Sequence, residues 1–99
     1  MEREDFEWDD DKCRRNIQKH GIDFEEAIEV FYRPHLIHSS DRKKEKRWVA
    51  VGEMEGRIIA VIFTRRTDRI RIISARRARK NEARTYRRET MGRSEKGQD

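Results

Sequence analysis

The stretch Phe63–Arg79, FTRRTDRIRIISARRAR, carries an arginine at almost every second position. A guanidinium stays charged at physiological pH and holds two phosphate oxygens in a planar fork, which a lysine ammonium cannot copy. The chemistry such a cluster serves is chemistry at phosphate. If that phosphate belongs to RNA, the strand is cleaved without metal when its 2′-hydroxyl loses a proton, the extra charge on the phosphorane is stabilised and the leaving 5′-oxygen receives a proton. Arginine suits the middle task. Ile70, Ile72 and Ile73, interleaved with the arginines, mark the segment as a folded strand and not a basic tail.

Strict alternation along that strand puts Arg69, Arg71, Ile73, Ala75 and Arg77 on one side and Ile70, Ile72, Ser74 and Arg76 on the other. The second set contains the core, so Arg71 is expected on the open face. Arg76 or Arg77 is expected at the strand end beside a last helix. Arg65 and Arg66 reach the same end if the RRTDR turn is tight. Arg71, Arg65 and Arg76 are therefore the candidates for stabilising phosphate charge, with Arg66 and Arg77 as further RNA contacts. The competing reading is a solvated sheet face that balances acidic groups elsewhere.

The remaining candidates each have two readings. His20 is the natural general acid or base, since imidazole titrates near 6.5, but at a helix C-terminus it equally complements the dipole. Lys12, in a first helical turn, holds phosphate or is a plain surface lysine. Tyr86 stacks on a base or packs in the core. Arg47 is counted among the RNA contacts, and Glu53 is either a base or the cross-sheet partner of Arg47. No metal or other cofactor is expected. His35 and His38, three apart on a strand, point to opposite faces, Cys13 stands alone, and no CxxC, HExxH, Gly-rich phosphate loop or Ser-His-Asp set occurs.

Composition sets the frame for these residues. The 99-residue chain is 45% charged and 33% apolar, which implies one domain with a small core. Residues 1–32 hold 5 basic and 11 acidic groups, net −6, and residues 33–99 hold 20 and 9, net +11. That split points to contact with a polyanion. The single cysteine fits a reducing cytoplasm, the start MEREDFEWDDD is unlike a basic signal-peptide head, and no apolar run is long enough to span a membrane. A soluble cytoplasmic protein is expected.

Elements follow from periodicity. Phe6 and Trp8 suggest a short edge strand, and Asp9–Asp11 cap a helix that ends before Gly21. Asp23 and Glu26 form a capping box for a second helix with Phe24, Ala27, Ile28 and Phe31 on one stripe up to Pro34. Leu36–His38 suggests a strand, and SSDRKKEK a mobile loop. Trp48–Met54, Ile58–Thr64 and Ile70–Ala75 should form an antiparallel meander with the doubly apolar IIAVIF at its centre. A last helix should run from Arg79 or Asn81 to Thr90. One domain over residues 1–90 and a disordered tail over 91–99 are expected.

The strings FEWDDDK, NIQKHGIDFEEAIEVF, FTRR and RIISARRARKNEARTYRRE, in this order and spacing over residues 6 to about 89, resemble the BrnT family of bacterial toxins. KHG-x-x-FEEA and RIISAR are the most recognisable pieces. The resemblance implies an α+β, RelE-like fold with two N-terminal helices packed on one face of an antiparallel sheet and a C-terminal helix. It also implies a metal-independent endoribonuclease that inhibits translation as the toxin of a type II toxin–antitoxin system. A cognate DNA-binding antitoxin would cover the active surface, and operator DNA would be bound only through that complex. Members often carry Ser or Thr where this chain has Arg79, so the last helix should be capped differently here. The alternative is a non-catalytic RNA-binding or protein-interaction module.

Overall fold

The computed structural model describes residues 5–98 except 42 and 43, with side chains as far as Thr90. Residues 42 and 43 belong to the loop SSDRKKEK expected to be mobile, and at these two positions that expectation lies outside the described residues. A two-residue strand β1 (Phe6–Glu7) is followed by α1 (Asp10–His20), a single turn α2 (Phe24–Ala27) and a 3₁₀ segment (Ile28–Tyr32). Four strands come next, β2 (His35–Ser39), β3 (Trp48–Met54), β4 (Arg57–Arg66) and β5 (Arg69–Arg77), and then α3 (Lys80–Gln98). The last helix runs past Thr90, where its periodicity was expected to stop.

Local chemistry explains the boundaries. Asp9 caps α1 by accepting a hydrogen bond from the Lys12 amide at 3.0 Å, and Gly21 at φ 71° ends it by donating to the Ile17 carbonyl at 2.8 Å. Glu55 and Gly56, both at positive φ, make the two-residue turn between β3 and β4. Thr67 and Asp68 make the equally tight turn between β4 and β5 that brings Arg66 opposite Arg69. The expected long second helix does not form. Asp23 bonds the Glu25 amide, only one α-turn follows, and the chain tightens into 3₁₀ geometry so that Val30 as well as Ile28 is buried. Val30 there meets β3 so closely that a Cβ on Gly52 would lie 2.7 Å from its Cγ1.

The strands form one sheet in the order β1-β5-β4-β3-β2, with the antiparallel meander as expected and β4 at its centre. Two expectations need correction. The sheet is mixed, because β1 pairs with β5 in parallel through Phe6–Ile70 and Glu7–Arg71. The helical segments also occupy both faces. Ile22, Phe24, Ile28 and Val30 bury Ile59, Val61, Phe63, Ile70 and Ile72 on one face, while Tyr86 of α3 packs with Val49, Val51 and Ala60 on the other. A strand apolar on both alternations, as β4 is, requires such cover on both sides.

Strict alternation also fails along β5. Ile62 pairs with Ser74 but Phe63 pairs with Ile72, so Ile73 is an extra, bulged residue. Before the bulge Ile70 and Ile72 face the larger core, and after it Ala75 does. Ser74 and Arg76 are thereby turned to the same face as Arg71.

Candidate nucleic-acid interface

The bulge is held from the side by α1. The buried amide of Asn16 donates to the Ala75 carbonyl at 2.9 Å and accepts from the Ala75 amide at 3.1 Å, taking the place of a neighbouring strand. The same side chain donates to the Ile22 carbonyl at 2.9 Å and accepts from the Ser74 hydroxyl at 3.3 Å. These bonds dock α1 along the outer edge of β5, past the end of β1. His20 in the last turn of α1 is thus brought beside Ser74 and Arg76, residues 54 and 56 positions away in the chain.

A cavity of about 460 Å³ opens there on the α3 face of the sheet. Lys19 and His20 form one wall, Arg47, Val49 and Ile62 the floor, and Ser74, Arg76 and Arg79 the other side. Among the described residues no carboxylate lines it. The acidic side chains of α2, Glu25 and Glu26, line a different hollow with Asp23, Glu29 and Glu55. Sequence-distant charges are therefore kept apart in space, and the basic groove is not neutralised by the acidic N-terminal third.

Arg76 is oriented by Glu82, which receives its two terminal nitrogens at 2.8 and 3.1 Å. Glu82 also accepts from the Arg79 amide at 2.7 Å, the carboxylate half of a capping box formed without the usual Ser or Thr. The His38 ring lies 3.9 Å away. The guanidinium of Arg76, helped by the Arg79 amide, holds the Glu82 carboxyl below the ordinary carboxylate range. Glu82 is absent from the residues singled out by the sequence. Its signal was its place three residues after Arg79, the residue that precedes α3.

The arginines expected in a single cradle divide among three places. Arg71 lies on the α3 face, but it bonds Glu7 at 2.9 Å, and Arg69 bonds the same carboxylate at 3.1 Å. Arg71 and its neighbours hold the Glu7 carboxyl below its usual value, with Arg66 adding charge. Five residues separate Arg71 from Arg76, roughly 15 Å of strand, too far for one guanidinium pair to grip a single phosphate. Arg65 pairs with Ile70 and so points to the opposite face, where it lies over the Trp48 ring at 5.7 Å. Arg77 is exposed opposite Ile59, on that same face.

Other candidates are placed as follows. Arg47 lines the cavity and pairs with Glu45, whose carboxyl it lowers, so the expected pair with Glu53 is not made. Lys12 sits on the exposed side of α1 beside a neighbouring hollow. Tyr86 is 5% exposed and donates to the Pro34 carbonyl at 3.5 Å, which makes it the core residue of its two readings and removes its ring from base stacking. Cys13 is buried, and burial pushes its thiol up. Among the described residues no group of three His, Cys, Asp or Glu side chains is placed to hold a metal ion, and no helix is long and apolar enough to cross a membrane.

The groove therefore combines one imidazole with fixed cations on a shallow floor, an arrangement that can bind a phosphodiester and move a proton beside it. No curated protein matches the chain. The profile of a family described as "Ribonuclease toxin, BrnT, of type II toxin-antitoxin system" matches residues 8–82, a span running from Trp8 through the Asn16 and His20 segment and the whole of β5 to Glu82. A match over about three quarters of the chain places this protein in the BrnT family of ribonuclease toxins.

Proposed function

We propose that the protein cleaves RNA in the His20–Arg76 groove without a metal ion, and so inhibits translation in the cytoplasm. The observation that carries this reading is the convergence of His20, Arg76, Arg47 and Arg79 on one cavity, with Arg76 and Arg47 held by Glu82 and Glu45. Arg76, held flat by Glu82, and Arg47 stabilise the charge that develops on the phosphorane. His20 exchanges the proton with the 2′-hydroxyl or the 5′-oxygen. Arg71 and Arg66, farther along the same face, contact RNA away from the scissile phosphate, with Lys12 as another contact. Arg65 and Arg77, on the opposite face, have no part in the reaction.

The same reading includes kinship of the fold with RelE-like toxins. It also includes a cognate DNA-binding antitoxin that covers the groove and carries the pair to operator DNA. Incubation of the purified protein with a defined RNA in chelator tests the chemistry. Products ending in a 2′,3′-cyclic phosphate support the metal-independent ribonuclease, and a gel shift with intact RNA supports the rival binding module.

A further inference from the structure

A second hollow, of about 270 Å³, adjoins the groove along α1. Lys12, Arg15 and Asn16 line it, and it shares Lys19, His20, Ile73 and Ser74 with the larger cavity. The two therefore meet beside the β5 bulge at Ile73. Lys12, Arg15 and Lys19 fall on one stripe of α1, spanning roughly 10 Å of helix. Among the described residues none of the three has a carboxylate within ion-pair distance, whereas Arg47, Arg69, Arg71 and Arg76 all do.

We infer that this stripe is a phosphate track that carries the RNA strand to the His20–Arg76 groove, so that the substrate is an extended single strand of several nucleotides. The inference rests on the proposed function for its groove and adds the direction in which the strand runs. Three unit charges repeat along α1 at about one helical turn apart, over a floor made by Ile73 and Ser74. An evenly charged backbone matches that row. A protein segment would need apolar anchors, and the hollow offers only Ile73 among its lining side chains. The groove supplies the site of reaction, and α1 supplies length-dependent affinity.

The test compares wild type with the triple substitution Lys12→Gln, Arg15→Gln, Lys19→Gln. Its probes are a single-stranded dodecanucleotide and a trinucleotide, both 2′-O-methylated so that neither can be cleaved, with binding read by fluorescence anisotropy across a salt series. The wild type should bind the longer strand more tightly. In the variant the slope of log affinity against log salt for that strand should fall by about 2 units, since each lost single-strand phosphate contact removes about 0.7. The trinucleotide should lose less than half of that. Circular dichroism confirms that these exposed substitutions leave the fold intact. An unchanged slope on the dodecanucleotide overturns the track, as does a variant that keeps RNA affinity while losing its antitoxin. A separate incubation with unmodified RNA keeps the two readings apart. A lower slope with no cleavage by wild type retains the track and removes the ribonuclease, and cleavage with an unchanged slope does the reverse.

Discussion

Asn16 bonds both the amide and the carbonyl of Ala75, so that a helix side chain completes the edge of β5 beyond Arg71, the last residue paired with β1. It joins α1 to the arginine strand through backbone groups just past the bulge. Removing it leaves a buried amide and a buried carbonyl without partners, each costing about 1–3 kcal/mol.

Asn16→Ala should therefore lower stability by about 2–4 kcal/mol. Asn16→Asp keeps the acceptor but turns a carboxylate toward the Ala75 carbonyl, and it should do no better. Urea denaturation followed by circular dichroism measures both, and a midpoint within experimental error of wild type would show that α1 is docked by something else.

The Arg76–Glu82 pair gives a pH signature. Because the folded state depresses the Glu82 pKa, its contribution is fully present above the ordinary value of 4.5 and is lost as pH falls through the lower folded value. Glu82→Gln should thus be less stable than wild type at pH 7, by about 1–2 kcal/mol from the weakened charge-assisted bonds. The gap should narrow as pH drops below about 4. Thermal melts from pH 7 to pH 3 check the convergence, and parallel curves would mean that the pair does not titrate.

Arginines on the two faces of the sheet should separate in activity. Arg76→Lys keeps a charge beside Glu82 but loses the fork, and RNA cleavage should fall about a hundredfold. Arg65→Ala, over Trp48 on the other face, should stay within a few-fold of wild type. The two variants are compared in one gel-based cleavage assay, and the reverse ranking would move the active surface to the Trp48 side.

Gly52→Ala tests the close approach of the 3₁₀ segment to β3. The added methyl would sit 2.7 Å from Val30 Cγ1 and 3.2 Å from His35 Cβ, so the segment must shift. A loss of about 1–3 kcal/mol is expected from overpacking, and the double variant Gly52→Ala, Val30→Ala should recover part of it. Additive losses in the denaturation midpoint would argue against direct contact.

A small core and an antitoxin partner together predict linkage. The complex with the cognate antitoxin should melt well above the free toxin, by an amount that grows with antitoxin concentration as mass action requires. Calorimetry at two antitoxin concentrations decides it, and a common melting temperature would count against a tight complex.

Much of the molecule was legible in the residues alone because short-range chemistry determines it. The caps at Asp9 and Gly21, the turn at Gly56, the meander and the central place of β4 each follow from residue types within a few positions of one another. The family was legible in the same way, since its strings are local. His20 and Arg76 could be named as candidates, but not their meeting. Alternation assigns Arg71 and Arg76 to opposite faces, and only the bulge at Ile73, held by an asparagine nearly sixty residues away, reverses that. Which arginines are neutralised, by Glu7 and Glu82, and which cations stay open along α1 was likewise decided by tertiary packing. A side chain's type sets the charge it carries, whereas its partner depends on register and docking between segments far apart in the chain.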